Sequence, residues 1–287
     1  MNEYDWMAER FEAHRGHLRA VAYRMLGSLS EADDAVQEAW LKLTRADTSG
    51  VTNLGGWLTT VVGRVCLDML RTRRARREEP LGAHVPEPII SRADGPDPEQ
   101  EALLADSVGL ALLIVLEQLA PAERLAFVLH DTFAVPFEEI GPILGRTPAA
   151  AKQLASRARR RVRGAEPTSD GDLASQRAVV EAFLTAARGG DMEGLLAVLD
   201  PDVVARPDTG AVVRGAKALA TNAITFARYA SAGRLALVNG VPGLISMDGE
   251  RLRSVVAFTI RGGKVTALDI LADPDRLARL DISPLAQ

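Results

Sequence analysis

The most constraining feature of the sequence is a stretch in which helix signals and helix breakers alternate at short distances. Pro121 suits the first turn of a helix, where its missing N–H would in any case have no partner. Residues 137–144 predict a short helix, and Gly145 suits the left-handed conformation that often follows a helix end. Thr147 and Pro148 then predict an N-cap and the first residue of a new helix. A short helix, a glycine turn and a second helix together predict a helix-turn-helix.

The second of these helices is predicted to have two different faces. Small apolar residues recur on one face at steps of three and four, as expected for a side that packs on its own domain. The opposite face carries donors that suit base edges and phosphates in a major groove. Its N-terminal members are expected to read bases, whereas the later arginines contact phosphates. A solvated basic helix in an unrelated bundle is the alternative. The donors are Lys152, Gln153, Ser156, Arg160 and Arg163, flanked by Arg157 and Arg159.

The net charge of −4 conceals two local concentrations of positive charge. Five arginines lie within residues 71–77 and five within residues 157–163. Because phosphate contacts are local, such clusters matter more to a polyanion than the total charge does. One such cluster could be a solvated helix end favoured by the helix dipole. Two clusters, each ending a helical pattern, favour nucleic-acid binding.

A helix after Ser30 is predicted to be acidic on its outer side. Ser30 is expected as its N-cap, with the Asp33 side chain reaching back. Leu41 stands on the acidic face, opposite the apolar positions. An acidic face with an apolar residue suits docking onto a basic protein surface, although a solvated face with one exposed leucine is the simpler alternative. The polar members of this face are Asp33, Asp34, Gln37 and Glu38.

The next predicted helix runs from about Leu54 to Arg77 and carries an aromatic residue ahead of a basic track. Such a track suits single-stranded DNA, which needs a stacking platform and phosphate neutralisation. The polar loop at residues 46–53 could accept an extruded base. Alternatively, Trp57 is a half-buried core aromatic and the arginines are surface charges. The buried stripe is predicted as Leu58, Val61, Val62, Val65 and Met69, and the outer track as Trp57, Thr60, Arg64, Asp68 and Arg71.

Composition divides the chain into three folded parts and two linkers. Residues 78–100 hold five prolines without periodicity, and residues 164–172 are short and polar. Residues 173–287 predict two helices and then several strands rich in branched aliphatic residues. The fold class is therefore multidomain, with two all-α domains followed by an α+β domain. No apolar run reaches 18 residues and the N-terminus lacks a signal-like segment, so we expect a soluble, cytoplasmic protein without membrane contacts.

Both helical parts resemble the extracytoplasmic-function (group IV) sigma factors of bacterial RNA polymerase. The first match is SEADDAVQEAWLKL followed by GWLTTVVGRVCLDMLRTRRARRE, and the second is LAPAERLAFVLHDTFAVPFEEIGPILGRTPAAAKQLASRARRRVR. The resemblance implies a sigma region 2 domain at 1–77, a linker at 78–105 and a sigma region 4 domain at 106–165. It also implies two partners, RNA polymerase core (the β′ clamp helices and the β flap) and promoter DNA.

The resemblance assigns these roles to particular residues. The acidic helix would bind the polymerase clamp helices through Asp33, Asp34, Gln37, Glu38 and Leu41. The next helix would open and read the −10 element through Asn53, Trp57, Thr60, Arg64, Arg71, Arg73 and Arg74. The second helix of the helix-turn-helix would read the −35 element through Thr147, Lys152, Gln153, Ser156, Arg157 and Arg160.

After a linker at 166–174, residues 175–287 resemble the SnoaL-like cone-shaped fold. This extension marks the sigma J type of the family, which implies regulation in cis and no separate anti-sigma factor. Three motifs carry the likeness: HVPEP in the long linker, a degraded DTGA run, and a closing DPDRL. They supply the expected regulatory residues, which are Pro86, Glu87, Pro88, Asp208, Gly210, Asp273, Pro274, Asp275, Arg276 and Leu277.

Catalysis by this last domain is not expected. An acid–base site would need a carboxylate in the pocket beside a histidine or tyrosine. All four histidines lie outside the domain, and Tyr229 is its only tyrosine. The single cysteine, Cys66, excludes an internal disulfide and is expected to be buried, so neither a metal nor a cofactor is predicted. The alternative function is a helix-turn-helix regulator with a ligand-sensing or enzymatic domain. The candidate pocket residues are Asp200, Asp202, Asp208 and Asp269, with Arg206 nearby.

Overall fold

The computed structural model describes residues 3–46, 51–75, 85–93, 110–165, 172–225 and 233–282. The chain forms two compact units. The first contains residues 1–79 and 115–166, and the second contains residues 80–114 and 167–287. The segment that joins the two helical regions along the sequence therefore belongs to the second unit. Within the described ranges, no helix is long and apolar enough to cross a membrane.

The first unit begins with three helices, α1 (Glu3–Leu26), α2 (Leu29–Leu43) and α3 (Leu54–Ala75), which pack against one another. Gly27 has a φ of 73° and ends α1, and Ser28 then accepts the Glu31 N–H at 3.4 Å as the N-cap of α2. The prediction of Ser30 as the N-cap was therefore wrong. Because the chain turns directly after Gly27, Ser28 is already extended and Ser30 lies inside the helix.

Burial on α3 is wider than the predicted stripe. Leu58, Val62 and Val65 are buried as predicted, whereas Val61 and Met69 are only half-buried. The helix is instead covered on two sides, by α1 and α2 and by the second set of helices. Its additional buried residues are Thr59, Gly63, Cys66, Leu67 and Leu70. Burial also raises the pKa of the Cys66 thiol, which is an apolar packing group here.

The second set of helices contains the predicted helix-turn-helix. It comprises α4 (Leu110–Glu117), α5 (Pro121–Phe127) with a π-helical extension (Val128–Thr132), α6 (Phe137–Leu144) and α7 (Pro148–Ala165). Gly145 adopts the left-handed conformation (φ 64°, ψ 36°) after α6, as predicted. Thr147 Oγ1 accepts the Ala150 N–H at 3.2 Å, which confirms the predicted N-cap of α7.

In its described residues, the second unit has a seven-stranded sheet with three helices packed on it, besides a short helix after the last strand. The helices are α8 (Leu173–Gly189), α9 (Met192–Val198) and α10 (Ala216–Thr225). The strands are β1 (Ile90–Arg92), β2 (Leu199–Pro207), β3 (Val213–Arg214), β4 (Gly233–Val238), β5 (Val241–Asp248), β6 (Arg251–Arg261) and β7 (Lys264–Leu271). Their order in the sheet is β1-β4-β5-β6-β7-β2-β3, and only the β2–β7 pairing is parallel. A short helix, α11 (Pro274–Leu277), follows the last strand.

Apolar side chains fill the space between the three helices and the sheet. Phe183 of α8 meets Phe258 of β6 edge to face, with ring centroids 5.3 Å apart. Val180, Leu195 and Val203 are fully buried in the same cluster. This apolar core holds the helices on the sheet.

The first strand comes from the segment predicted to be an unstructured linker. Ile90 to Arg92 pair with β4, in the register Ile90↔Val238. Asn239 and Gly240 (φ 53° and 76°) form the two-residue turn between β4 and β5. The Asn239 side-chain oxygen also accepts the Ile89 N–H at 2.9 Å, and the backbone N–H of Asn239 donates to Ile89 O at 2.8 Å. Within the described part of the predicted linker, Ile90–Arg92 are therefore an edge strand of the second unit.

Candidate polymerase-binding and promoter-binding surfaces

The acidic face of α2 is exposed, and the apolar stripe behind it is buried. Asp33, Asp34, Gln37 and Glu38 are all exposed, and the Leu41 residue is 39% exposed. The buried stripe consists of Ala32, Ala35, Val36, Ala39 and Leu43. The structure thus brings together all five residues of the predicted polymerase-binding face.

Two of these acids have basic partners in their own domain. Arg19 donates two hydrogen bonds to Asp33, at 2.7 and 3.0 Å, and Lys42 lies 3.0 Å from Glu38. Asp34 has no ion-pair partner among the described residues. An exposed pair of this kind contributes little to stability and is readily exchanged for another partner. On this face, the Asp34 carboxylate has no ion pair within the described residues, and Leu41 is exposed. The neighbouring acids are neutralised only by weak, exposed ion pairs.

The predicted −10 residues follow the N-terminal part of α3 and its basic end. Asn53 Oδ1 accepts the Gly56 N–H at 3.0 Å, which caps the helix. Trp57 and Thr60 are half-buried, and the Thr60 hydroxyl donates to Gly56 O at 3.0 Å. Arg64 is exposed one turn further along. Asn53 therefore caps α3, a structural role that was not predicted from the sequence.

The arginines at the end of α3 differ in their surroundings. Arg73 forms a close ion pair with Glu31 of α2, and Arg71 lies 3.5 Å from Asp68 of its own helix. Arg74 is exposed. Arg76 and Arg77 complete the sequence cluster but lie outside the described residues. In the basic track, Arg64 and Arg74 are therefore exposed to solvent, whereas Arg73 connects α3 to α2 through its ion pair.

The second helix of the helix-turn-helix, α7, turns a polar face to solvent. Ala151, Leu154, Ala155 and Ala158 are buried, as predicted, and Val162 is half-buried. The predicted −35 residues Thr147, Lys152, Gln153, Ser156, Arg157 and Arg160 are all exposed. Arg157 nevertheless donates to Glu123 of α5 at 3.1 Å, and Arg159 forms a close pair with Asp131. Sequence reasoning missed both acids.

The two helical regions of the first unit pack directly on each other. Gly63 of α3 faces Leu125 and Leu129, and a Cβ at Gly63 would lie 3.2 Å from Leu129 Cδ1. The buried Arg124 guanidinium donates to Met25 O and to Glu117 Oε1, both at 2.8 Å. A glycine at a close contact and a buried arginine bound to a backbone carbonyl show a specific interface.

An aromatic side chain closes one edge of this contact. The Phe133 ring lies 4.9 Å from the guanidinium carbon of the buried Arg24 and 5.1 Å from the His17 ring. The His17 ring nitrogen is also 3.1 Å from Thr59 Oγ1. Two residues of α1 thus contact Phe133, which follows α5, and His17 also joins α1 to α3.

The candidate pocket acids of the second unit do not form an acid–base site in the part of the chain that the structure describes. Asp269 is 2% exposed and accepts two hydrogen bonds from Arg206, at 2.6 and 3.0 Å. This carboxylate and burial act in opposite directions on Arg206, and the net effect raises the pKa of its guanidinium. Asp200 instead accepts the Asp202 N–H at 2.9 Å, at an exposed position near the start of β2.

An open depression of about 730 Å³ lies elsewhere on the second unit, beside α9 and α10. It is lined by Leu196, Leu199, Pro201, Arg214, Gly215, Ala216, Lys217, Ala218 and Thr221. None of the four predicted pocket acids is among these residues. The depression therefore does not supply the carboxylate that an acid–base pocket would need.

Described residues of the three motifs predicted to be regulatory meet at one cluster in the second unit. Asp208 accepts the Ala272 N–H at 2.8 Å and a hydrogen bond from Arg276 at 3.3 Å. Arg276 also donates to Val85 O through a close contact, and Asp273 caps α11 by accepting two backbone N–H groups at 3.0 Å. Arg276 thus ties the linker to the loop at Asp208.

Other predicted regulatory residues have different surroundings. Pro86, Pro88 and Leu277 are buried, Glu87 is half-buried, and Pro274 and Asp275 are exposed. Gly210 is exposed with a φ of 112°, so it serves the loop conformation. Val85 and Asn239 hold the linker and were missed, because a backbone carbonyl and a turn asparagine leave no distinctive sequence signal.

The two helical regions match known family models. Residues 10–76 match Sigma-70 region 2, and residues 110–162 match Sigma-70, region 4. A helix-turn-helix region preceded by region 2 defines a sigma-70-type initiation factor.

Full-length relatives narrow the class. The chain is 40% identical to the ECF RNA polymerase sigma factor SigJ of Mycobacterium tuberculosis, over 93% of this chain and 91% of SigJ. It is 36% identical to the probable ECF RNA polymerase sigma factor SigI of the same species, over 96% and 97%. The crystal structure of M. tuberculosis SigJ aligns with a TM-score of 0.78 at 37% identity, covering 96% of this chain and 100% of that one.

The chain belongs to the extracytoplasmic-function sigma factors. It is an alternative sigma factor that directs transcription initiation, and its partners are RNA polymerase core and promoter DNA. The predicted fold class is also confirmed, with sigma regions 2 and 4 followed by a SnoaL-like α+β domain.

Proposed function

We propose that the chain binds core polymerase through the acidic face of α2, reads the −10 element with α3 and the −35 element with α7, and is restrained in cis by its C-terminal domain. The proposed polymerase contacts are Asp33, Asp34, Gln37, Glu38 and Leu41. The −10 contacts are Trp57, Thr60, Arg64, Arg71, Arg73 and Arg74, beside the helix cap Asn53. The −35 contacts are Lys152, Gln153, Ser156 and Arg160, beginning at the helix cap Thr147.

The observation that carries the restraint is that Ile90–Arg92, in the segment between regions 2 and 4, form a strand of the C-terminal sheet. Ile90 to Arg92 pair with β4, and Arg276 and Asn239 hold the residues just before them. A chain segment held by ladder hydrogen bonds and side-chain bonds loses the freedom that a flexible linker has. The C-terminal domain therefore limits the arrangements that the two DNA-reading regions can adopt.

The contact between regions 2 and 4 adds a second support for restraint. The −35 and −10 elements are separated by about 25 base pairs, which is roughly 80 Å along the duplex. In the first unit, however, α3 packs against α5 and α6. Both elements cannot be read from such an arrangement, so the two regions separate when the promoter is bound. A domain that holds their linker thereby takes the place of a separate anti-sigma factor.

The C-terminal domain acts without catalysis in this proposal. Its buried carboxylate, Asp269, is bound to Arg206, and Asp208 is bound to Arg276 and to backbone N–H groups. The oxygens of both carboxylates are therefore engaged in hydrogen bonds within the domain. These acids fasten the domain together.

Run-off transcription with core polymerase tests the proposal. The template is a promoter selected by the wild-type holoenzyme from a random-sequence library. Wild-type chain should direct initiation at one site, and Arg276→Ala should increase the transcript yield because it releases Val85. Arg279→Ala, an exposed neighbour on the same segment, is the matched control and should behave as wild type. Binding of duplex DNA without any specific initiation would instead favour a helix-turn-helix regulator that works without polymerase.

A further inference from the structure

The recognition helix is attached to α5 through one nearly buried carboxylate. The Glu123 side chain is 8% exposed and accepts hydrogen bonds from Arg157 at 3.1 Å and from Arg161 at 2.7 Å. Arg157 and Arg161 are four residues apart and therefore lie on the same side of α7. A single carboxylate thus holds two arginines at one edge of the helix.

The opposite edge of α7 is also attached to its own domain. Arg159 forms a close ion pair with Asp131, which follows α5 in the π-helical segment. Between the two edges, Lys152 and Arg160 are exposed and have no ion-pair partner within the described ranges. The cations of α7 therefore form two groups, an anchored group at the edges and an open group on the outer face.

We propose that Glu123 is a positioning residue that sets the DNA specificity of α7. The inference rests on the proposed −35 role of this helix and deepens it. Two bonds to one carboxylate fix the rotation of α7 about its own axis, which determines the side chains that reach base edges. The same bonds keep two guanidinium groups from making contacts with phosphates, which carry no sequence information.

Charge gives this arrangement a measurable consequence. Two arginines and one glutamate carry a net charge of +1, and Glu123→Gln would leave +2 with no carboxylate to hold it. The released arginines can then reach phosphates on any sequence, and each added phosphate contact steepens the salt dependence of binding. Loss of Glu123 should therefore strengthen binding to unrelated DNA while it weakens discrimination.

This role of Glu123 implies different functions for Arg157 and Arg160, although both belong to the same sequence cluster. Arg160 belongs to the open group and should contact a phosphate. Arg157 belongs to the anchored group and should contribute to the orientation of the helix without a phosphate contact of its own. Sequence reasoning placed both among the −35 contacts.

The test uses holoenzyme assembled from the full chain and core polymerase. Affinity is measured over a series of KCl concentrations for two duplexes, one selected by wild type from a random-sequence library and one a scrambled version of equal length. Arg160→Gln should lower the slope of log affinity against log salt by about 0.9, whereas Arg157→Gln should leave the slope unchanged and lower the ratio of selected to scrambled affinity. Glu123→Gln should raise the slope on scrambled DNA by about 0.9 to 1.8.

The matched control is Glu139→Gln, which makes the same charge change at an exposed acid of α6. Glu139 has no ion-pair partner in the described part of the chain, so its replacement releases no arginine. Equal effects of Glu123→Gln and Glu139→Gln would overturn the inference, because general electrostatics would then account for both.

Two further outcomes would contradict the proposed role of Glu123. If Arg157→Gln lowers the slope as much as Arg160→Gln, then Arg157 is itself a phosphate contact and the inference is wrong. This measurement does not depend on the folding of Glu123→Gln, because Arg157→Gln leaves Arg161 on the carboxylate. If the wild-type holoenzyme selects no duplex at all, the proposed function fails and the inference fails with it.

Discussion

The two units of the molecule use charged side chains in opposite ways. In the helical unit, the residues predicted to bind polymerase and DNA lie exposed on the outer faces of α2 and α7. In the C-terminal unit, Asp208, Asp269 and Arg276 bind other parts of the same unit. Charges that serve a large external partner stay in water, whereas charges that fasten a domain are buried and paired. This contrast agrees with the proposal that the first unit makes the external contacts and the second holds the linker.

The helical unit also contains buried, paired charges, and the one at the contact between regions 2 and 4 gives the largest expected effect. Arg124→Ala removes the partner of Glu117 and leaves Met25 O without its donor. Breaking a buried charge pair in this way should lower the free energy of unfolding by about 3–5 kcal/mol. Chemical denaturation of the full chain measures this loss. A loss under about 1 kcal/mol would place Arg124 with the weakly contributing surface charges.

Removal of Arg206 tests the fastening role of charges in the C-terminal unit. Arg206→Ala leaves the Asp269 carboxylate buried without its partner. The expected loss of unfolding free energy is about 2 kcal/mol, smaller than for Arg124 because Arg206 is itself one-third exposed and partly screened. Thermal unfolding of the variant gives the measurement, with Arg234→Ala, an exposed arginine of β4, as the control. Equal thermal stability of Arg206→Ala and Arg234→Ala would contradict the view that paired charges hold the C-terminal unit together.

Replacement of Leu41 should show the reverse pattern, because it should weaken polymerase binding and leave the stability of the chain almost unchanged. Leu41→Ala should change the free energy of unfolding by less than about 0.5 kcal/mol, because the residue is exposed. Affinity for core polymerase should fall about tenfold, which corresponds to about 1.4 kcal/mol. Titration of labelled chain with core polymerase measures this affinity. Unchanged affinity would remove Leu41 from the proposed polymerase-binding face.

The smallest expected effect concerns the N-cap of α8. The Asp172 carboxylate accepts the Ser175 N–H at 2.7 Å, and this hydrogen bond lowers the pKa of the carboxyl below its ordinary value of 3.8. A lowered pKa means that the cap contributes above the ordinary value and is lost as pH falls through the lowered one. NMR titration should show the Ser175 amide shift with a midpoint below 3.8. A midpoint at or above that value would show that the cap is absent in solution.

Local sequence signals predicted most of the helical unit. The helix-turn-helix depends on Gly145 and on the Thr147–Pro148 pair, and each acts on backbone dihedrals within a few residues. The outer faces of α2 and α7 followed from helical periodicity, because the core of each region lies on one side of these helices. The main error there was the N-cap of α2, since Ser28 and Ser30 are chemically equal and only the turn at Gly27 distinguishes them.

The sequence by itself determined the order of the domains, the faces of the helices and the residue types that face solvent, because these properties depend on short-range spacing. Only the tertiary structure decided which charges are free to bind. Glu123 and Arg157 are 34 residues apart, and Arg276 meets a linker carbonyl 191 residues away. The linker strand likewise exists because β4 offers an unpaired edge to Ile90. Such pairings depend on long-range packing, which no local pattern in the chain encodes.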